Sequence, residues 1–411
     1  EYFLIWLNIT KKPMSTYSPF SKMQLLPQEE KLEIARHKSE LFIGIPKETS
    51  YQERRICLTP DAVSSLVFHG HRVMIEAGAG ESSSYSDKDY SEAGAEVTND
   101  TNKVFGCPMI LKVEPPTLVE IDMMNPQTIV ISAIQLKTQK KAYFEALALK
   151  RITALAFEFI KDEDGSYPAV KSLSEIAGIA SIHIAAELMI NQNIGKGLLF
   201  GNITGVPPTE VVILGAGTVA EYAARTAIGL GANVKVFDNS ITKLRRLQNT
   251  LNQRIFTSTI QEKGLLKALR RCDVAIGAMR GKNRTPIVVS ETMVENMKKG
   301  AVIVDVSIDT GGCFESSEIT THEKPTFIKN GVIHYFVPNI PSRYSKTASM
   351  SISNIISPFL LHIAEDGGIE SAIRCNRGLK NGIYFYHGLL TNKAIGDWFN
   401  IEHRDINLLV F

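Results

Sequence analysis

Short apolar runs alternate with amphipathic stretches along the chain from Leu41 onward. A stretch with helical spacing, at 60–69, separates the first two of these runs. The first five runs lie at 42–46, 72–78, 109–113, 128–134 and 153–158. This alternation predicts parallel strands joined by crossover helices.

A second block with the same alternation begins near Lys171. Its first helix is predicted from about Ser174 to Gln192, with Ser174 as the N-cap. Further apolar runs, with helices between them, lie at 211–215, 234–238, 273–278, 301–307 and 332–337. This spacing predicts a six-stranded doubly wound sheet. A last helix, at about 349–365, is expected to pack back on the first block.

We interpret the first forty residues as an N-terminal extension. The apolar opening at 2–9 is too short to span a bilayer, and Lys11 and Lys12 follow it where a signal peptide needs them in front. No membrane segment is therefore predicted. Met14 is a candidate initiator, which would place the first thirteen residues outside the native protein. The stretch 22–40 has the composition of a solvent-facing helix that docks on the folded body.

A glycine-rich motif opens the second block, between a buried strand and a helix. Gly215 permits a tight turn, and Gly217 lets the backbone approach a pyrophosphate. The helix that starts at Thr218 and Val219 offers N–H groups and the positive end of its dipole. The full motif is G-A-G-T-V-A at 215–220. Strand, helix, second strand and a terminal acid at Asp238 together predict a dinucleotide site.

Asp238 ends the second strand of this block and indicates which dinucleotide binds. A carboxylate there accepts hydrogen bonds from a ribose 2′-hydroxyl but repels a 2′-phosphate, so NAD is favoured over NADP. Three cations follow it, Lys243, Arg245 and Arg246, and their helical spacing predicts a solvated face instead of a phosphate site.

The predicted fold class is α/β with two domains. A doubly wound Rossmann NAD-binding domain at 171–339 is inserted in a second α/β, flavodoxin-like, catalytic domain formed by 41–170 and 340–411. The interrupted domain follows from the expectation that the last helix returns to the first block.

The amino-acid composition indicates which binding partners and which cellular compartment to expect. The formal net charge of +2 leaves little field to attract nucleic acid or an anionic membrane. Five widely spaced cysteines form no C-x-x-C pair, which favours a reduced, cytoplasmic compartment. The one close histidine pair, His69 and His71, has no acidic or cysteine cluster beside it, so no metal site is predicted. Hydrolase and kinase motifs (G-x-S-x-G, G-x-x-x-x-G-K) are missing from the sequence.

Several motifs, in order from about residue 42 to the C-terminus, resemble those of the alanine dehydrogenase family, which is related to the NAD-binding subunit of proton-translocating transhydrogenase. They are I-P-K-E at 45–48, E-R-R-I-C-L-T-P at 53–60, G-H-R-V at 70–73, E-A-G-A-G at 76–80, L-K-V-E-P at 111–115, L-S-E-I-A-G at 173–178, the glycine-rich motif, and I-D-T-G-G-C-F-E at 308–315.

The resemblance implies a cytoplasmic enzyme that interconverts L-alanine with pyruvate and ammonia using NAD, usually as a homohexamer. By this analogy Arg55 and Lys112 hold the carboxylate and carbonyl oxygens of the substrate, which lies between two domains. Asp309 is then expected at the amine or water side, and Asn339 at the cleft. Ser174 is expected on the cofactor phosphates.

The chemistry of these residue types agrees with the implied roles. A carboxylate substrate suits the planar, two-point guanidinium of Arg55. Lys112 interrupts an apolar run, so a cleft is expected to lower its pKa by desolvation towards the range for proton transfer. Asp309 follows the run 301–308, at the carboxyl edge of a parallel sheet, where open α/β folds bind ligands.

The chain departs from the family pattern at three places: Gln135, Thr310 where the family has glutamine in D-Q-G-G, and the more basic loop 279–284. Where most alanine dehydrogenases carry a histidine, this chain has Gln135, which can hold a substrate oxygen but cannot carry a proton. Proton transfer is then expected from Lys112 and Asp309, with water. Three alternatives stay open: a soluble, NAD-binding, transhydrogenase alpha-like subunit; a saccharopine-type dehydrogenase that joins lysine to a keto acid; and a NAD-binding regulator without catalysis.

Overall fold

The computed structural model describes residues 39–50, 52–191, 193–281 and 284–410. The predicted N-terminal extension and its helix lie outside these residues, apart from Ser39 and Glu40. The strands are β1 Phe42–Ile45, β2 Arg72–Glu76, β3 Glu96–Thr98, β4 Met109–Leu111, β5 Ile129–Ser132, β6 Thr153–Ala156, β7 Glu210–Leu214, β8 Asn233–Phe237, β9 Phe256–Ser258, β10 Val274–Gly277, β11 Val302–Asp305, β12 Thr326–Lys329, β13 Val332–Tyr335, β14 Ile383–Tyr386 and β15 Leu389–Leu390.

Helices connect most of the strands. They are α1 Pro60–Phe68, α2 Asp87–Glu92, α3 Thr101–Phe105, α4 Leu118–Met123, α5 Lys141–Leu149, α6 Pro168–Ile190, α7 Thr218–Gly229, α8 Ile241–Leu251, α9 Glu262–Leu269, α10 Glu291–Glu295, α11 Ile340–Arg343, α12 Ser345–Glu365, α13 Ile369–Cys375, α14 Arg377–Gly382 and α15 Lys393–Phe399. The predicted α/β class, with two mainly parallel sheets, is confirmed.

The first sheet has the order β3-β2-β1-β4-β5-β6-β14-β15. Its first six strands are parallel, and β14 and β15 extend it antiparallel. The central strands are apolar runs buried on both faces, as helices on both sides of a parallel sheet require. The order 3-2-1-4-5-6 differs from the 2-1-3-4-5 order of flavodoxin.

The second sheet has seven strands in the order β9-β8-β7-β10-β11-β13-β12, one more than predicted. All pair in parallel except β12, which pairs antiparallel with β13. Neither edge strand, β9 or β12, contains a fully buried residue. Edge strands of this kind leave no apolar run for a sequence pattern to reveal.

Helix α6 begins at Pro168, six residues before the predicted start. Proline at the first helical position is favoured because its missing N–H would have no partner there. Ser174 is therefore inside the helix and is not its N-cap: its Oγ donates to the carbonyl of Val170 at 2.7 Å. A Cβ added to Gly178 would lie 2.5 Å from the carbonyl oxygen of Val219, so this glycine lets α6 and α7 pack closely.

Helix α12 packs its buried side chains, among them Ile352, Ile356 and Leu360, into the core of the first sheet, as predicted. Helices α6 and α12 are long and apolar enough to cross a membrane by length and composition, but about half of each apolar window is buried inside the protein. Burial of that kind is typical of core helices in folded domains.

Both sheets reverse strand order at one point. In the first sheet the reversal lies between β1 and β4, and in the second between β7 and β10. Crevices at the carboxyl ends of such strand pairs are the usual ligand sites of open α/β sheets. Glu48 and Lys112 follow the first pair, whereas Gly215 and Ala278 follow the second.

Candidate active site

A cavity of about 320 Å³ is lined by residues that follow strands of both sheets and by one face of α6. Its volume falls within the range of small-molecule sites, roughly 300–1,000 Å³. The polar side chains on its wall are Arg55, Gln135, Glu158, Ser174, Arg280, Ser307, Asp309, Thr310 and Asn339. Six predicted site residues line this cavity: Arg55, Gln135, Ser174, Val219, Asp309 and Asn339.

The glycine-rich turn forms one wall of this cavity through Val219. Gly215 has φ +111°, and an added Cβ would lie 2.4 Å from the carbonyl oxygen of Ala278. Gly217 is the N-cap of α7, and a Cβ there would meet no atom within 4 Å. Open space over Gly217, next to the first N–H groups of a twelve-residue helix, fits a dinucleotide pyrophosphate.

Asp238 lies at the end of β8, buried beside the glycine-rich turn. Its Oδ2 accepts from the N–H of Ala216 at 2.8 Å, and its Oδ1 accepts from the N–H of Ser240 at 2.7 Å. Each carboxylate oxygen keeps a further lone pair, so the group can still accept from a ribose hydroxyl. Arg246 is exposed, as predicted for its helix face, but it also donates to the carbonyl of Ala216 at 3.3 Å.

Arg55 is buried in a two-point ion pair with Glu53. Its Nε donates to Oε1 of Glu53 at 2.7 Å, and its Nη2 donates to Oε2 at 2.5 Å. A second carboxylate, Glu114, lies 3.8 Å from the same Nη2. The guanidinium is therefore held in one orientation before any substrate binds, and it reaches the cavity wall.

Lys112 follows β4 directly, but it does not line the cavity. Its Nζ donates to Oε1 of Glu120 at 2.7 Å and lies 3.5 Å from Oε2 of Glu48. Burial pushes the pKa of Lys112 down, but these two carboxylates outweigh burial, and the net shift is upward. The predicted lowering of its pKa is therefore wrong.

Three acids near Arg55 and Lys112 were not found from the sequence. Burial raises the pKa of Glu48 to about 7, against the attraction of Lys112. Burial and a hydrogen bond with Glu53 raise that of Glu114 to about 8. Burial also acts to raise the pKa of Glu53, but Arg55 outweighs it and lowers the pKa to about 2. Their only sequence signal is their place after β1 and β4, at the reversal point of the first sheet.

Asn339 connects the two halves of the cleft. It has the left-handed conformation, with φ 53°, just before α11. Its backbone N–H donates to Oδ1 of Asp309 at 3.0 Å, and its Nδ2 donates to Oε2 of Glu53 at 3.0 Å. Asn339 thus fixes the distance between Asp309 and the Arg55–Glu53 pair.

Asp309 lies in a 3₁₀ turn, Val306–Thr310, that follows β11. Its side chain has access to solvent within the cleft, but the surrounding walls desolvate it and raise its pKa, against the N–H of Asn339 and the charge of Arg55. Asp305, which no sequence motif marks as a site residue, ends β11 and accepts from the N–H of Cys313 at 2.8 Å and from Oγ of Ser317 at 3.1 Å. These bonds fold the loop that presents Asp309.

Gln135 and Glu158 are neighbours on the wall of the same cavity. Gln135 follows β5 in the left-handed conformation, with φ 46°. Glu158 accepts from the N–H of Ile134 at 3.3 Å and also from the N–H of Gln135. Glu158, which no sequence motif marks as a site residue, therefore holds this turn in place.

Comparisons with known proteins agree along the whole described body. The family profile "Alanine dehydrogenase/PNT, N-terminal domain" matches residues 44–177, and "Alanine dehydrogenase/PNT, C-terminal domain" matches residues 181–393. An alanine dehydrogenase of Staphylococcus epidermidis is 36% identical over 366 residues, which are 89% of this chain and 98% of that protein.

Solved structures show the same likeness. A structure of L-alanine dehydrogenase superposes with a TM-score of 0.82 at 34% identity, over 88% of this chain and 99% of the other. A transhydrogenase from Sinorhizobium meliloti, at 24% identity, superposes with a TM-score of 0.72 over 86% of this chain and 99% of the other, a likeness of fold.

Proposed function

This chain belongs to the alanine dehydrogenase/PNT family, and from that premise we propose that it is an NAD-dependent L-alanine dehydrogenase. The reaction converts L-alanine, NAD and water to pyruvate, ammonia and NADH. The observation that carries the proposal is the shared cavity: the oriented guanidinium of Arg55 and the start of the glycine-rich helix at Val219 line the same space. A small carboxylate held by Arg55 is thereby brought next to a bound dinucleotide.

Arg55 is proposed to bind the substrate carboxylate. Glu53 engages two of the five guanidinium N–H groups, so others remain for an incoming carboxylate. Asn339 and Asp309 are proposed to face the amine or water side, where Asp309 exchanges a proton. Gln135 is proposed to donate its amide N–H to the keto oxygen.

Lys112 takes a different part in this proposal from the one that family resemblance implies. Because it pairs with Glu120 and Glu48 away from the cavity, it neutralises these buried acids and holds the loop after β4. The positive charge of Lys112 balances the negative charge of Glu48 and Glu120 and so helps to keep Arg55 and its carboxylates in one arrangement. In this proposal Lys112 does not contact the substrate.

NAD is the proposed cofactor. When bound, it supplies the hydride acceptor, which removes hydride from the substrate Cα. The backbone at Gly215 and Gly217, with the N–H groups of Thr218 and Val219, is proposed to hold the pyrophosphate, and Asp238 the ribose. Ser174 lies on the cavity wall, but its hydroxyl donates to Val170, so its oxygen is proposed to face the cofactor as an acceptor.

Steady-state kinetics with a panel of substrates tests the proposed function. NADH oxidation is measured with pyruvate and ammonium, and separately with 2-oxoglutarate and lysine. We expect the larger kcat/KM for pyruvate and ammonium. A larger value for 2-oxoglutarate and lysine would assign the saccharopine-type reaction instead, and NADH binding without turnover of either pair would favour the regulator or the transhydrogenase-like subunit.

The assembly is proposed to be a homo-oligomer, a hexamer by family resemblance, in the cytoplasm. Leu199, Ile203 and Val206 are each more than half exposed in the segment between α6 and β7, as interface residues of an isolated subunit would be. All five cysteines are free, in keeping with a reducing compartment. Light scattering coupled to size-exclusion chromatography measures the mass, and a monomer would contradict the proposal.

A further inference from the structure

The cavity wall offers few groups that can carry a proton. Among its described lining residues the ionisable side chains are Arg55, Glu158, Arg280 and Asp309, and none is a histidine or lysine. Arginine does not release its proton in proteins. Lys112 donates to Glu120 and does not line the cavity. The groups at this wall that can exchange a proton are therefore the carboxyl groups of Glu158 and Asp309.

We propose that Glu158 is the acid–base residue that exchanges a proton with the substrate oxygen, an inference that rests on the proposed dehydrogenase function. Its position carries the argument. Glu158 lies beside Gln135, whose amide is proposed to hold that oxygen, whereas Asp309 lies beside Asn339 and near Arg55. Glu158 is therefore assigned to the substrate oxygen, and Asp309 to the substrate nitrogen.

The surroundings of Glu158 keep its carboxyl group suited to proton exchange. Burial raises the pKa of Glu158, while the N–H groups of Ile134 and Gln135 and the charge of Arg280 act to lower it. The phenols of Tyr143 and Tyr384 also lie within electrostatic range of Glu158, and their hydroxyls hydrogen-bond each other at 2.9 Å. Burial raises the pKa of both phenols, so both stay protonated in the pH range in which Glu158 titrates.

In the aminating direction, ammonia forms a C–N bond to the keto carbon, and the oxygen takes the proton of the Glu158 carboxyl group as the C=O π bond breaks. The Asp309 carboxylate then accepts a proton from the new ammonium nitrogen, and solvent reprotonates Glu158. Glu158 gives this second proton to the hydroxyl oxygen as the C–O bond breaks, and the oxygen leaves as water. The resulting iminium carbon would receive the hydride that bound NADH supplies, after which solvent reprotonates Glu158 and Asp309 returns its proton to the amine.

Two variants of Glu158 distinguish its role in proton exchange from its role as a hydrogen-bond acceptor. Glu158→Gln keeps an oxygen that can accept from the N–H groups of Ile134 and Gln135 but removes the exchangeable proton. Glu158→Asp keeps the proton on a shorter side chain. Glu163→Gln, on the exposed loop that follows, is the matched control.

We expect Glu158→Gln to lower kcat for pyruvate amination by about 10²-fold or more, the scale of general acid–base catalysis. The pH–rate profile should lose the limb that reports this acid, while NADH binding, measured by fluorescence, and KM for pyruvate change little. Glu158→Asp should recover part of kcat with a displaced limb, and Glu163→Gln should match the wild type.

A Glu158→Gln rate close to that of the wild type, with an unchanged pH profile, would overturn the inference. So would a Glu158→Asp variant no faster than Glu158→Gln, because the position would then serve only to hold the turn. Failure of the proposed function itself is seen separately, as a wild type that binds NADH but does not turn over pyruvate and ammonium.

Discussion

The Arg55 guanidinium and the Glu53 carboxylate form a buried two-point ion pair, with 2.7 Å from Nε to Oε1 and 2.5 Å from Nη2 to Oε2. The pair is tied to the second sheet by Asn339, which donates to Oε2 of Glu53. The group proposed to bind the substrate carboxylate is therefore oriented by contacts that already exist in the protein alone.

Removing one partner of this pair should destabilise the fold. Glu53→Ala leaves the Arg55 charge buried without its two-point partner, which costs about 3–5 kcal/mol. Urea denaturation measures the loss in the free energy of unfolding. The control is the double variant Glu53→Leu with Arg55→Met, which removes both charges and should be more stable than Glu53→Ala alone. A Glu53→Ala variant with the free energy of unfolding of the wild type would show that the ion pair does not stabilise the fold.

The contributions of Glu48 and Glu114 to stability should fall as the pH rises from about 4.5 to 8. The pKa values of Glu48 and Glu114 are raised to about 7 and about 8, so in this range the folded state binds more protons than the unfolded state. Each such group lowers the free energy of unfolding by at most about 1.4 kcal/mol per pH unit. The pKa of Glu53, lowered to about 2, affects stability only below about 4.5.

Glu114→Gln tests this pH dependence. The amide can donate to Glu53 as the protonated acid does, but it does not titrate. Urea midpoints measured at pH 6 and pH 9 should therefore differ less in Glu114→Gln than in the wild type. Glu163→Gln is the control and should keep the wild-type slope. Equal slopes in all three proteins would contradict a raised pKa for Glu114.

Asp238 should set the preference for NADH over NADPH. Asp238→Asn keeps an oxygen that can accept from the N–H of Ala216 or Ser240 but removes the charge that repels a 2′-phosphate. Comparing kcat/KM for the two cofactors, we expect wild-type preference of at least tenfold, about 1.4 kcal/mol, and a smaller ratio in the variant. Equal use of both cofactors by the wild type would show that Asp238 does not bind the ribose.

Gln135 should support catalysis without titrating. An amide N–H can polarise the keto oxygen, and loss of one such donor costs about 10²–10³ in kcat. We therefore expect an active wild type, and Gln135→Ala slower by about that factor. A wild type at background rate that Gln135→His restores would mean that the reaction needs a histidine here, and would contradict the proposed roles of Glu158 and Gln135.

Local signals in the sequence predict the glycine-rich turn and the acid beside it, Asp238, which accepts from the N–H of Ala216. The turn at Gly215 and the acid at Asp238 follow from a strand, a turn and a helix that are contiguous in the chain. The two residues come together because β7 and β8 are paired neighbours. Successive paired parallel strands joined by a helix are typical of doubly wound sheets, so the fold class could also be predicted.

The substrate side depends on contacts between residues far apart in sequence, so the surroundings of Lys112 and the place of Glu158 were not predicted. The pKa of Lys112 is decided by Glu48, which is 64 residues earlier, and by Glu120 on the next helix. Glu158 reaches the site only because β5 and β6 are neighbours in the sheet. A lysine in an apolar run does not reveal which acids will surround it, so its environment could not be read from its neighbours.

The most direct test of the account is the stoichiometry of NADH oxidation by the purified wild-type protein with pyruvate and ammonium. The absorbance of NADH is followed while L-alanine is quantified, and each substrate is omitted in turn. We predict equal amounts of NADH consumed and L-alanine formed, and no oxidation when either pyruvate or ammonium is left out. NADH that binds but is not oxidised, or NADH oxidation that proceeds without ammonium, would contradict the proposed alanine dehydrogenase activity.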